Sequence, residues 1–430
     1  MKTDQIQKVH KDWYKLDLSA IVYPTLQRRD FSSVYRLSVL LKEDIDPEIL
    51  QRAVNLTMPR FPTYKAAIRK GVFWRYLEPN DRPGPFVQED VKNPCQPMHF
   101  KGNNRYLVRI YYYRNRIALE AHHSLGDGTG GMCVLQTLTA TYLRLKGHSE
   151  IENGGFVLDI LGIPDPGELE DAYMKYANAK VCPPRPGEKT YRVRGTKEPF
   201  YTLNIIDGIM SVAEVMQVAK SYNATITEYL NSVLLYALMQ KQESEWHLTL
   251  RPVKIAMPVN LRRFFPSRTL RNFITMIYPG IDPRLGEYTF EEIVTQVHNY
   301  MRYYLNEKLL RGDITTNAET QRNPFIRIVP LFIKDLVVRQ FYTKIQDKNS
   351  SAGLTNMGAL KVPETMKPYI ERFDIYMGQP FSTRTNCAIV SFEDILTINF
   401  ASSIAETDVE RLFFRKLVQD GIHVKIESNR

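Results

Sequence analysis

The stretch Ala121-His122-His123-Ser124-Leu125-Gly126-Asp127-Gly128-Thr129-Gly130-Gly131 organises the reading of this 430-residue chain. Residues 105–110 and 116–120 before it read as two short strands, and residues 129–145 after it have the apolar spacing of a helix. Two adjacent histidines therefore end a strand, and an aspartate among glycines forms the turn that follows. A glycine-rich bend lets the backbone turn sharply while neighbouring side chains point into a cleft. A histidine there can serve as a general base near neutral pH. Taken apart, a His-His pair is usually a solvated strand end and Gly-Asp-Gly an ordinary turn. The composite His-His-x-x-x-Asp-Gly is much rarer than either part.

Composition narrows the choices. With 43% hydrophobic and 24% charged residues the chain is globular, and its length makes two domains the default. The 25 tyrosines and 20 phenylalanines suit large cores or an apolar tunnel. No stretch approaches the roughly 20 apolar residues of a membrane-spanning helix. Residues 1–8 lack an apolar core and a cleavage site, so no secretory signal is expected. Cys95, Cys133, Cys182 and Cys387 are scattered with no Cys-x-x-Cys pair. That pattern predicts neither a metal site nor a disulfide framework, and fits a reducing cytoplasm. The net charge of +10 is spread along the chain without a nucleic-acid module. It is better suited to a phosphorylated co-substrate or an acidic carrier protein.

Working outward, residues 33–41 alternate as a strand, and Asp46-Pro47 opens a helix that Arg60-Phe61-Pro62 stops. Strands are expected at 64–69 and 72–77, with Phe61, Phe73 and Trp74 in the core. Glycines and prolines interrupt residues 147–196, which leaves room for one short helix near 169–179. Beyond it, a strand is expected at 200–206, and helices capped by Ser211 and Thr225 cover 212–220 and 225–238. A strand at 253–259 runs into a loop carrying Arg262, Arg263, Arg268 and Arg271. On charge alone that loop is as readily a solvated basic surface as a functional one. A strand at 273–278, helices over 290–310 and 326–345, strands at 372–376, 386–392 and 395–400, and a helix at 406–420 complete an α+β pattern.

The composite motif resembles the active-site signature of the CoA-dependent acyltransferase superfamily. That group includes chloramphenicol acetyltransferase, peptide synthetase condensation domains, plant acyltransferases and alcohol acetyltransferases. Arg60-Phe61-Pro62 and the run Gly71-Val72-Phe73-Trp74-Arg75-Tyr76-Leu77-Glu78 are similar to bacterial alcohol acetyltransferase-like members. So is Pro258-Val259-Asn260-Leu261-Arg262-Arg263, which matches a Val-Asn/Asp-x-Arg segment. The resemblance implies two chloramphenicol-acetyltransferase-like lobes, residues 1–170 and 197–430. Each would be a mixed β-sheet flanked by helices, joined by a linker over 171–196, with an active-site tunnel between them.

It also implies roles. His123 would be the catalytic base, with Asp127 beside it as structural partner and His122 turned into the lobe. Gly128 would keep space open next to the base. Arg262 would reach across to Asp127, with Arg263 as the alternative, and Asn272 would open the following strand. Thr355 and Asn356, within Gly353-Leu354-Thr355-Asn356-Met357-Gly358, would line the tunnel or donate to an oxyanion. The implied activity is transfer of an acyl group, acetyl first, from acetyl-CoA or another acyl-CoA to an alcohol or amine. The alternative is a stand-alone condensation-type enzyme fed by an acyl or peptidyl carrier protein and forming an amide or ester. Ser124 adjoins His123, but no Gly-x-Ser-x-Gly elbow supports a hydrolase triad.

Overall fold

The computed structural model describes residues 13–27, 31–91, 93–178, 188–200, 202–245, 249–344, 349–378 and 383–430. The first half contains β1 (Tyr14–Lys15), α1 (Tyr23–Leu26), β2 (Val34–Leu41), α2 (Pro47–Thr57), β3 (Ala66–Lys70), β4 (Arg75–Pro79), β5 (Val87–Glu89), β6 (Val108–Tyr113), β7 (Arg116–His122) and α3 (Gly128–Leu145). Asp46 caps α2, its carboxylate accepting the amides of Glu48 and Ile49 at 2.9 and 3.0 Å. Strands β2, β7 and β6 pair antiparallel, and β5 joins β6 in parallel. Buried apolar residues of β2, α2, β7 and α3 pack together on this sheet. The β3–β4 hairpin closes at Lys70 and Arg75, so residues 71–74 form its tip and not a strand. Phe61 is buried as expected, whereas Phe73 and Trp74 stand exposed on that tip.

The second half adds α4 (Ala172–Tyr176), β8 (Asn204–Ser211), α5 (Val212–Ser221), α6 (Ile226–Ser244), β9 (Val253–Asn260), β10 (Ile274–Ile277), β11 (Gly280–Ile281), α7 (Phe290–Tyr304), α8 (Glu307–Arg322), α9 (Pro324–Ile328), α10 (Leu331–Lys344), β12 (Ala352–Ala359), β13 (Ile370–Met377), β14 (Thr385–Phe392), β15 (Ile395–Ser402), α11 (Asp408–Gln419) and β16 (Lys425–Ser428). The proline-rich part of the expected linker, 179–187, lies outside the described residues, Cys182 included. Within that linker α4 docks on β10, because the Tyr173 hydroxyl donates to Ile274 O at 2.7 Å and accepts its N–H at 2.8 Å.

Three expectations change. The helix expected over 290–310 is two helices, because Asn306 caps a new one by accepting the Leu309 amide at 3.0 Å. The helix expected over 326–345 divides at Pro330, whose ring cannot continue a helix interior. The strand expected at 200–206 begins later and runs from Asn204 to Ser211.

Eight strands form the larger sheet, in the order β10-β9-β12-β14-β15-β8-β16 with β11 beside β9. The smaller main sheet is not built from the first 170 residues alone. Strand β13 crosses over and pairs antiparallel with β2, giving the order β13-β2-β7-β6-β5. As an edge strand, β13 turns one row of backbone polar groups away from its own sheet, and side chains of β15 satisfy them. Asn399 Oδ1 accepts the Ile375 amide at 3.1 Å, and Thr397 Oγ1 donates to Phe373 O at 2.9 Å. Asn399 Nδ2 and the Tyr376 hydroxyl each donate to Asp207 at 2.8 Å. Burial and the neighbouring Asp374 carboxylate raise the Asp207 pKa to about 7. The two sheets are thus joined through a buried polar seam.

Replacing Asn399 with leucine would leave the Ile375 amide and part of the Asp207 carboxylate without partners. A loss of about 2–4 kcal/mol is expected from chemical denaturation, since each orphaned buried polar group costs roughly 1–3 kcal/mol. A variant as stable as wild type would mean that this seam does not hold the sheets together.

Candidate active site

The last residues of β7 and the turn into α3 deliver the motif to the boundary between the sheets. Backbone hydrogen bonds fix His123 first: its amide donates to Ser33 O at 2.8 Å, and its carbonyl accepts from Asn272 Nδ2 at 2.8 Å. Aromatic rings then hold the imidazole. Tyr23 stacks on it at 4.8 Å and Tyr35 lies against it at 4.6 Å. Burial lowers the His123 pKa to about 4, opposed by the Asp127 charge and by polar contributions from Asn272 and the Gly126 backbone. The imidazole is therefore neutral across the physiological range. Nδ1 is buried without a hydrogen bond of standard geometry, which leaves Nε2 as the nitrogen for the cavity that His123 lines.

His122 points the other way. It is fully buried, its Nδ1 accepts the Ser124 amide at 3.2 Å, and the Phe100 ring meets it edge-on. Burial, with help from its neighbour His123, lowers its pKa to about 3.

Asp127 caps α3, accepting the amides of Thr129 and Gly130 at 3.1 and 3.2 Å. The other contacts of its carboxylate come from the second half of the chain. Arg262 binds it with a two-pronged guanidinium, at 2.8 Å to Oδ2 and 3.3 Å to Oδ1, and the Phe273 amide donates at 2.9 Å. Arg262 Nε in turn donates to Thr269 O at 2.9 Å. Arg262, and not Arg263, is the partner; Arg263 instead lines the cavity close to Gly358. Close approach explains the glycines. A side chain at Gly130 would run into the Leu270 carbonyl, and one at Gly126 into that carbonyl and the Tyr64 hydroxyl. Gly128 faces the cavity, and a Cβ there would lie 3.0 Å from Met357 Sδ.

Tyr23, Tyr35 and Asp17 join the site without a motif to mark them. Asp17, fully buried, accepts Asn272 Nδ2 at 3.1 and 3.3 Å and lies 3.7 Å from Arg271 Nε. Asn272 so bridges Asp17 to the His123 carbonyl. The available signal was a lone carboxylate inside the apolar run Leu16-Asp17-Leu18.

A cavity of about 1640 Å³ runs between the sheets. From the first half it is lined by Tyr23, Tyr35, His123 and Thr129; from the second, by Asn260, Arg263, Thr355 and Asn356. Asn356 is already engaged, with Nδ2 donating to Thr227 Oγ1 at 2.9 Å and Oδ1 accepting the Gly358 amide at 2.7 Å. Thr355 lines the cavity wall beside it. No helix among the described residues is long and apolar enough to cross a membrane.

No family model and no curated protein matches the sequence. Solved structures do match its fold. TRI101 of F. sporotrichioides, complexed with coenzyme A and T-2, superposes with a TM-score of 0.62 at 12% identity, over 96% of this chain and 100% of that one. The chain shares the fold of that protein, as of an acetyltransferase and a condensation domain. TRI3 trichothecene 15-O-acetyltransferase from Fusarium sporotrichioides gives a TM-score of 0.57 at 13% identity, covering 95% of this chain and 94% of that one. A starter condensation domain of rhizomide synthetase, complexed with C8-CoA and Leu-SNAC, gives 0.58 at 10% identity over 97% and 96%. The two-lobed α+β expectation, mixed sheets flanked by helices, agrees with these likenesses.

Breaking the buried pair should be costly, because removing one partner leaves the other charge buried without compensation. Arg262→Ala and Asp127→Asn are each expected to lose about 3–5 kcal/mol of stability. In a double-mutant cycle read by chemical denaturation, the two losses should be coupled by at least about 1 kcal/mol. Additive losses would mean that the pair does not link the two halves.

Proposed function

We propose that this protein is an acyltransferase that moves an acyl group, acetyl first, from a CoA thioester to an alcohol or amine, with His123 as general base. The observation that carries the reading is a neutral, ring-stacked imidazole with one nitrogen left for a cavity between two lobes. His123 Nε2 takes the proton from the acceptor as its oxygen or nitrogen attacks the thioester carbonyl. The tetrahedral intermediate then collapses by breaking the carbon–sulfur bond, and the imidazolium returns the proton to the leaving thiolate. The thioester is already activated, so no protein nucleophile is required.

Asp127 and Arg262 act on this step at one remove, by holding the turn that aims His123. His122 and Gly128 support the same turn, the first from inside the lobe and the second by leaving room at the cavity. Thr355 is the better oxyanion donor of the two expected, because the Asn356 amide is occupied by Thr227. Arg263 and Lys361 bring positive charge to the cavity lining, which suits the phosphates of CoA, while Lys254 there is paired with Glu188 at 3.9 Å. The scattered cysteines, with no Cys-x-x-Cys pair, support a cytoplasmic setting as part of this reading. The same cavity charge also favours a second reading, a donor delivered on the phosphopantetheine of a carrier protein. Parallel assays with acetyl-CoA and with an acyl-carrier protein separate the two.

His123→Ala should abolish turnover with little change in melting temperature, and near-normal activity in that variant would rule out the base. The pH profile gives a second check. A base with its pKa lowered to about 4 stays deprotonated above that value. The acidic limb of kcat/KM should therefore fall near pH 4, not near the 6.5 of an unperturbed histidine.

A further inference from the structure

Helix α10 reverses the usual arrangement of a surface helix, in which apolar residues face inward. Its polar side chains anchor it to the protein. Asp335 pairs with the buried Arg75 at 2.6 Å and accepts the Thr25 hydroxyl at 3.0 Å, and Arg339 Nε donates to Thr25 O at 2.8 Å. Its apolar side chains face out, with Phe332, Leu336 and Val337 exposed by 72%, 61% and 60%. Phe325 on α9, 78% exposed, and Trp74 on the β3–β4 tip extend this face. The tip is tied to α10 by the Leu331 amide on Val72 O at 2.8 Å and by Lys334 Nζ on Phe73 O at 2.9 Å.

Charge separates the possible occupants. Residues 322–341 carry four basic side chains, Arg322 (3.4 Å from Glu319), Arg327, Lys334 and Arg339, and a single carboxylate, Asp335, which is turned inward onto Arg75. Phe332 and Leu336 stand out from the helix, while Phe325 borders a shallow surface pocket and Val337 the main cavity. Aliphatic and aromatic side chains interspersed with Lys and Arg, with a Trp at the edge, are the chemistry of an anionic lipid interface. The face is also continuous with the cavity, whose wall includes Val337, Val338 and Leu26.

We propose that α9, α10 and the 71–74 tip form a docking face for an anionic lipid bilayer. Docking sets the cavity mouth against the membrane, so that an apolar substrate enters from the bilayer. The substrate route rests on the acyl-transfer reading; the docking itself does not.

Vesicle flotation without any acyl donor tests the docking. Wild type should float with phosphatidylcholine vesicles containing phosphatidylglycerol, and high salt should weaken this binding. The double variant Phe332→Glu/Leu336→Glu should bind at least about tenfold more weakly, and Arg327→Glu should also bind less. Melting temperature and turnover of a short soluble alcohol should be unchanged in both variants. Failure of wild type to float, or equal flotation of the double variant, would overturn the proposal. So would a wild-type dimer that the double variant dissolves, or an acidic carrier protein that binds this face while vesicles do not. If vesicles bind but no acyl-CoA is consumed, the docking stands and the acyl-transfer reading falls.

Discussion

A buried carboxylate is tolerated only when it is paired, and Asp127 is paired from the far half of the chain. Its oxygens are shared among the first amides of α3, the Phe273 amide and the Arg262 guanidinium. Those partners approach from both lobes, so one side chain fixes the helix start, the glycine turn and the distance between the sheets. The Leu270 carbonyl lies where a side chain at Gly130 would be, which explains why the turn needs glycine on the side facing the arginine loop. The backbone of His123 is thus set by contacts outside its own side chain, and Tyr23 and Tyr35 hold the ring.

The site is layered. Nearest the cavity is the imidazole, held between Tyr23 and Tyr35. Behind it are the backbone anchors, Ser33 O on one side and the Asn272 amide on the other. Behind Asn272 lies Asp17, whose burial raises its pKa although Arg271 pulls in the opposite direction. Each layer limits the freedom of the one in front, and such support keeps a catalytic group within the narrow geometry that proton transfer needs.

What could be read from sequence follows the range of the interactions. The motif at 121–131 is local, so its strand, turn and helix were legible, as were the caps at Ser211 and Thr225. The Arg262 loop was legible through a resemblance, while the choice between Arg262 and Arg263 waited for the geometry. Asp17 left no periodic trace because its side-chain partners, Asn272 and Arg271, lie more than 250 residues away. Phe73 and Trp74 were expected in the core because large aromatics usually are. Their exposure follows from the hairpin register, which no pattern in those residues specifies. The break before Asn306 did carry a signal, a capping residue, but the apolar stripe running up to it suggested one helix.

Strand β13 has a consequence for how the chain is made. Synthesis proceeds from the N-terminus, so β2 emerges long before the segment that completes its sheet. Until residue 377 is clear of the ribosome, the outer edge of β2 lacks its partner, and unpaired strand edges invite pairing with other chains. The sheet of the first half is therefore completed only by residues 370–377. Most of the second half must be translated before the sheet that carries the histidines is closed, and until then β2 presents an unpaired edge.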